Sequence, residues 1–314
     1  TFYGASGNTL GTASIGPVTH RDRNDRTVLL ERVTEGPLPS GTRGMRIENE
    51  FEYGESTTTG TTFIDNLALV LKSGAAGVNV TSVANGASLA TGPVAPGEMV
   101  AIATSGISLN GTTRMQVDST GRLTTELAGV KVFFDGTQAP LVAVSSSRIT
   151  AIAPYDIEGK TTVRLRVEYK GAESNTVTLN VAKTAPGIFS QEETGKGQGE
   201  IYNDTWTLNS RTAPAAPGST VTVLWTGGGI TFPAGLDGRI ETGGMPKPAA
   251  EVKATIGGKA ATVVYAGAVP FTWSGLLMAQ IKVPADVTGD ALPVVITAGT
   301  AASPDNTVVM TVRQ

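Results

Sequence analysis

His20 is the single histidine of the 314-residue chain, and cysteine is absent. Those two counts remove a two-histidine zinc site, a thiolate metal site, a thiol nucleophile and any disulfide. His20 lies in the densest charge cluster, Thr19-His20-Arg21-Asp22-Arg23-Asn24-Asp25-Arg26. A catalytic base needs a nucleophile and an orienting group within reach. Nothing around His20 marks a nucleophile elbow, so the segment reads as a solvated loop rich in ion pairs. Gly227-Gly228-Gly229 follows a strand pattern, but neither a helix nor Gly-Lys-Ser/Thr comes after it. A phosphate cradle needs the amides of a helix N-terminus. Asp286 and Asp290 in Asp-Val-Thr-Gly-Asp, and Glu192-Glu193, are hard oxygen ligands of the kind Ca²⁺ takes, at a spacing that matches no EF-hand loop. A turn is the simpler reading of each.

The aromatic side chains suited to stacking on the apolar face of a pyranose are Trp206 and Trp273, with Tyr202 and Phe271 nearby in sequence. The competing reading places Trp225 in a core and uses Trp206 and Trp273 to seal contacts between modules. Asn79, Asn110 and Asn203 each open an Asn-x-Thr acceptor pattern for N-glycosylation. The threonine run from Thr57 to Thr62 is a polar hairpin that could carry O-linked sugar.

The elements that must position these groups are strands. Val163, Leu165 and Val167 alternate with Arg164, Arg166 and Glu168, the period-2 pattern of a half-buried antiparallel strand. The same alternation predicts strands at Met99 to Ala103, Val130 to Phe134, Thr176 to Val181, Thr220 to Trp225, Ala250 to Ile256, Met278 to Val283, Pro293 to Thr297 and Thr307 to Val312. Turn signals separate them: Asp135-Gly136, Glu158-Gly159, Lys170-Gly171, Gly257-Gly258 and Gly289-Asp290. No amphipathic helix is evident. The expected fold class is all-β, built of tandem antiparallel β-sandwiches of Ig-like type.

The second half repeats the first. Ala95-Pro96-Gly97 is answered by Ala216-Pro217-Gly218 at an offset of 121, and the turn at Asp135-Gly136 by Gly257-Gly258 at 122. Ala153-Pro154 is answered by Val283-Pro284 at 130, and Asn175-Thr176-Val177 by Asn306-Thr307-Val308 at 131. A constant order with a slowly growing offset means preserved strands and lengthened loops. The expected domains are residues 1–73, 74–183 and 184–314. Ile188 and Phe189, following Ala185-Pro186-Gly187, are expected at the seam between the two modules. Residues 1–73 match neither repeat; strands are expected at Thr27 to Val33, Gly44 to Tyr53 and Phe63 to Leu71.

With these residues in view, the stretch from 78 to 314 resembles the uncharacterised C-terminal Ig-like module of long secreted acidobacterial proteins, a relative of the IPT/TIG sandwiches. Asn85-Gly86-Ala87-Ser88, Gly92 to Gly97, Ala139-Pro140-Leu141, Ala153-Pro154-Tyr155 and Ser174-Asn175 carry the first half of the likeness. Ala185 to Phe189, Leu208-Asn209-Ser210, Ala216-Pro217-Gly218, Val264 to Gly267 and Val283-Pro284 carry the second. The chain departs from the pattern at Asn203-Asp204-Thr205-Trp206, where an Asp-Gly turn is usual, and at Gly227-Gly228-Gly229. Residues 1–73 resemble the closing part of a bacterial jelly-roll domain, through Pro39 to Arg43 and Asp65 to Leu69. That likeness implies a Ca²⁺ ligand near Asp65, although Asp65-Asn66 also reads as an Asx turn. The family has no assigned activity; the resemblance implies export, a surface or extracellular setting and a spacer or interaction role.

Lys plus Arg number 24 and Asp plus Glu 27, a net charge of −3, without the basic excess of a dedicated nucleic-acid binder. No run reaches the roughly 18 consecutive apolar residues of a membrane-spanning helix. Thr1 in place of Met suggests a processed or truncated product. The expectation is therefore a non-enzymatic extracellular structural or adhesive protein without a cofactor. Its expected partners are copies of itself, joined as a surface filament through β-strand contacts, or neighbouring surface proteins. The alternative is a carbohydrate-binding module of a secreted multidomain protein.

Overall fold

The computed structural model describes residues 1–16, 18–19, 21–24, 26, 28–34, 36, 38–39, 41–50, 67, 69, 77–305 and 307–314. The chain divides into two compact units, Thr1–Ser73 and Gly74–Gln314. Among the described residues there is no α-helix, only a single 3₁₀ turn at Tyr155–Ile157, and no helix long and apolar enough to cross a membrane.

In the first unit, Phe2–Tyr3 pairs antiparallel with Thr9–Gly11 on one side and Gly44–Met45 on the other. Among the described residues of the strand expected over Gly44 to Tyr53, Gly44–Met45 alone is a strand, and positions 51–53 lie outside the described residues. The described residues of the expected strand at Thr27 to Val33 form no strand, and Leu29 and Val33 are exposed. Without an apolar layer over them, alternating side chains cannot fix a pleat. The expected strand at Phe63 to Leu71 falls mostly outside the described residues.

The second unit holds two apolar cores. The first lies between two antiparallel sheets. One sheet runs Asn79–Asn85, Met99–Ser105, Arg148–Ile152, Leu141–Val144 and Thr113–Arg114. The other is centred on Thr162–Tyr169, paired with Val130–Phe134 on one edge and with Ala172–Glu173 and Val177–Asn180 on the other. Val100, Ile102 and Ile149 of the first sheet face Val132, Phe134, Val163, Leu165 and Val167 of the second. Each such buried side chain contributes roughly 1.5–3 kcal/mol.

The second core is enclosed by one curled sheet. From Gly187–Ile188 it passes through Thr220–Thr226, Leu277–Lys282, Lys259–Ala268, Val252–Ile256, Gly289–Ala298 and Val308–Val312 to Gly197–Gln198. Trp225, Val223 and Ile281 meet Ile256, Ile296 and Met310 inside it. Two ten-residue strands make the curl. Lys259–Ala268 pairs with Val252–Ile256 over its first residues, then, across a register shift between Val263 and Tyr265, with Leu277–Lys282. Its counterpart in the first module is broken into Thr137–Gln138 and Leu141–Val144 by Ala139-Pro140. Proline has no N–H for a central ladder. Thr262 stands at the equivalent place and pairs with Lys282, so the second sheet stays continuous. Gly289-Asp290, expected as a turn, opens the other long strand, with a bulge before Leu292.

The repeat holds at the level of single hydrogen bonds. Gly97 donates to Ala153 O at 2.9 Å and Gly218 to Val283 O at 3.0 Å; Glu98 donates to Ala95 O and Ser219 to Ala216 O, both at 3.1 Å. Val94 bridges Val181 in parallel, and Ala215 bridges Val312 in the same way.

Candidate functional site

The densest polar construction in the second unit is the joint between its two cores. Asn85 ends the first strand of the first module, and its Oδ1 accepts from Ala87 N and Ser88 N, both at 2.9 Å. Its Nδ2 donates to Glu98 Oε1 and to Ala185 O, again both at 2.9 Å. One amide therefore binds a hairpin, the neighbouring turn and the first residues of the second module. The other carboxyl oxygen of Glu98 accepts from Ala95 N at 2.7 Å. Glu98 is 1% exposed, and burial pushes its carboxyl up to about 8 against the opposing pull of those two donors. Thr226 supplies a second tie: its hydroxyl accepts from Met99 N at 2.9 Å and donates to Gly275 O at 2.7 Å.

Backbone approaches backbone here because glycine permits it. A Cβ on Gly195 would fall 2.0 Å from Ser88 O and one on Gly275 2.6 Å from Gly97 O, while one on Gly187 would fall 2.1 Å from the side-chain Oδ1 of Asn85. The apolar part of the joint buries Met99, Leu123 and Ile152 against Phe189, Ile240, Trp273 and Leu276. Phe189 thus lies in the seam, whereas Ile188 belongs to the second core. Tyr155 donates its backbone N–H to Asp237 Oδ1 at 2.9 Å, with its ring wedged between Gly97 and Gly235. Burial raises the carboxyl pKa values of Asp237 and Glu241. Glu241 is 2% exposed, and its Oε2 and the indole N–H of Trp273 have no partner among the described residues. Each oxygen of Glu98 accepts one hydrogen bond and the group is closed to solvent, so the arrangement fastens two modules together.

The residues singled out from sequence are not brought together. Trp273 is half-buried in the joint, while Trp206 is 67% exposed on a hairpin of the second module, beside Tyr202 at a centroid distance of 6.2 Å and an interplanar angle of 48°. Asp286 ion-pairs with Lys259 Nζ and Asp290 with Arg313 Nε at 2.8 Å. Those hydrogen bonds hold both carboxyl groups below the usual carboxylate range. Among the described residues no three His, Asp or Glu side chains gather in a metal-binding group. Asp65 and His20 lie outside the described residues. Asn79 and Asn110 are exposed. Asn203 is a correction: it is 8% exposed. Its Nδ2 donates to Ala213 O at 2.9 Å, and its Oδ1 accepts from Asn209 at 2.9 Å. A glycan on that nitrogen requires the hairpin to come apart.

Asn85, Glu98, Thr226 and Asn209 were not identifiable from spacing alone. A glutamate directly after a turn glycine, at the head of an apolar strand, was the one available signal.

No family model matches the chain, and no curated protein matches it. Among solved structures, Titin-A168169 aligns over 76% of this chain and 100% of its own length, at 9% identity and a TM-score of 0.19. A likeness that slight carries no argument about this chain.

Proposed function

We propose that this chain is a non-enzymatic structural or adhesive protein of an extracellular surface, in which residues 74–314 act as a stiff two-module spacer. One observation carries the reading: the two cores are fastened by hydrogen bonds from the Asn85 amide to the buried Glu98 carboxyl and to the partly buried Ala185 carbonyl, and by close backbone contacts that leave no room for a Cβ. A hinge meant to swing would expose those groups to water at each opening, leaving a buried carboxyl and a carbonyl to find new partners. A joint of this kind suits transmission of force or maintenance of distance. The described edge of the first sandwich is also closed to a new strand at one point. Asn175 Oδ1 accepts from Val80 N at 2.8 Å and its Nδ2 donates to Val80 O at 3.0 Å, in the manner of a neighbouring strand. In this reading copies assemble into a filament by strand addition through residues 1–73.

Two measurements on the full chain test the reading. Spin labels at the exposed positions Thr178 and Asp204 should report a single narrow distance distribution; a broad one would remove the stiff spacer. Electron microscopy at increasing concentration should show ordered chains of particles, and dispersed monomers throughout would remove the filament.

A further inference from the structure

Trp206 occupies a backbone conformation that large residues avoid. Its φ is +61°, in a region usually left to glycine or asparagine. It is also 67% exposed, with the Tyr202 ring beside it. The hairpin holding it is rigid. Asn203 N–H donates to Thr207 O at 2.8 Å and Trp206 N–H to Asn203 O at 2.9 Å. Beneath it, Asn209 is fully buried. Its amide donates to Asn203 Oδ1 and Thr311 O, both at 2.9 Å, and its oxygen accepts from Thr311 N and Gln198 Nε2, both at 2.8 Å. A strained, exposed ring is therefore held in place by a buried amide network.

The surroundings of the ring are hydrogen-bonding and aromatic. The Tyr202 hydroxyl donates to Glu200 Oε1 at 2.6 Å, which fixes the phenol and pushes its pKa up to about 12. Tyr202 lies directly beside Thr222, then Gln280, then Tyr265 across three neighbouring strands, with side chains on one face. The equivalent row of the first module is Ala84, Ala101, Thr150 and Ala143. The second module has thus replaced three alanines by two tyrosines and a threonine, and a threonine by glutamine, next to an exposed tryptophan.

We infer that Trp206, Tyr202, Glu200 and Gln280 form a contact site for a neutral polysaccharide, with a pyranose face stacked on Trp206. A sugar offers apolar C–H faces and a rim of hydroxyls, which fits an exposed ring with a phenol and its carboxylate partner beside it and an amide two strands further along the same face. Two observations select a neutral ligand. Glu200 and the exposed Asp204 place negative charge at the ring pair, which disfavours uronic and sulfated polymers. The two rings, 6.2 Å apart by centroid and tilted at 48°, do not form the facing walls with which an aromatic cage holds a cation. The site stands apart from the joint, and its failure would leave the spacer reading untouched.

Native affinity electrophoresis of the full chain in gels containing hydroxyethylcellulose, laminarin, glycogen or polygalacturonate tests the proposal. At least one neutral polymer should retard the wild type, and polygalacturonate should not. W206A should weaken retardation at least tenfold with unchanged thermal melting, while W206F keeps part of it. Trp206 is the exposed one of the three tryptophans, so bound polymer should protect fluorescence from acrylamide quenching. No retardation by any neutral polymer, equal retardation of W206A, or retardation by polygalacturonate would overturn the proposal. So would self-association by sedimentation velocity that W206A abolishes, since a second copy would then be the occupant.

Discussion

Raising the pH should loosen the second unit through Glu98. The carboxyl has an ordinary value of 4.5 and burial pushes it up to about 8 in the fold. The folded protein therefore holds this proton more tightly than the unfolded chain. Stability from the group is complete below about pH 4.5, declines between about 4.5 and 8, and reaches its floor above 8. At 1.36 kcal/mol per pH unit, the decline amounts to roughly 5 kcal/mol, a large part of the 5–15 kcal/mol by which most domains are stable. For a unit of this size each kcal/mol moves the melting temperature by about 2–4 °C, so the fall across the window is on the order of 10–20 °C. Glu241 and Asp237 are shifted in the same direction by burial and add to it. The aspartates whose values are lowered, Asp118, Asp135, Asp286 and Asp290, lose their contribution only as the pH falls through the acid range.

Differential scanning calorimetry between pH 5 and 9 at fixed ionic strength measures this. The E98Q variant separates Glu98 from the other two acids. Its amide nitrogen must face either Asn85 Nδ2 or Ala95 N, two donors already aimed at the site. It should therefore be less stable than the wild type by about 1–3 kcal/mol near pH 5, lose most of the slope, and so overtake the wild type by about 2–4 kcal/mol above pH 8. A wild-type melting temperature that is flat from pH 5 to 9, or an E98Q slope equal to the wild type, would refute the argument.

Gly187→Ala should separate the two cores while leaving each folded, because its Cβ would lie 2.1 Å from Asn85 Oδ1; calorimetry should resolve two transitions, and a single wild-type-like peak would count against the joint as the coupling element. Leu165→Asp places a charge at a position with 0% exposure, so the first core should fail to form; native-like amide dispersion from residues 78–179 in NMR spectra would show that inward face to be misassigned. Asn209→Ala should cost at least about 2 kcal/mol by leaving Thr311 N and Asn203 Oδ1 unpaired at a buried site and Thr311 O with Ala215 N alone; a denaturant midpoint equal to the wild type would remove the buried amide network from the argument for a rigid hairpin.

The strands of the second unit were legible because one face of each is buried. Val163, Leu165 and Val167 point into the first core and Arg164, Arg166 and Glu168 away from it, so hydrophobic burial and period-2 geometry state the same thing. Asp135-Gly136, Lys170-Gly171 and Gly257-Gly258 were legible as turns, and all six residues have positive φ. Gly289-Asp290 misled because the glycine serves a bulge within a strand, where local chemistry resembles that of a turn. The site was far less legible. Asn85 and Ala185 are a hundred residues apart, and nothing in either neighbourhood names the other. Trp206 and Trp273 looked equivalent as sequence, yet one is exposed on a hairpin and the other half-buried at the joint. Their difference follows from which module-to-module contacts form, and local pattern does not encode those.

The repeat explains why stiff coupling is confined to one joint. The same turn occurs in both modules, but Glu98 of the first is Ser219 in the second, whose hydroxyl bonds back to Ala216 O at 2.7 Å within its own turn. Around it, the joint-forming Met99, Ile152 and Val142 correspond to Thr220, Lys282 and Val264. Ile152 is fully buried, whereas Lys282 is exposed and Val264 is 62% exposed. A further sandwich packed on the second module as the second packs on the first would have to bury the ammonium of Lys282, with Thr220 and Thr262 opposite it in the ladder and no carboxylate among those two neighbours. The desolvation cost of an unpaired ammonium exceeds what a few apolar contacts return. That face of the second module is therefore not a copy of the apolar joint surface that Met99, Val142 and Ile152 build on the first. The sheet edge beyond it is left available to carry the Trp206 hairpin.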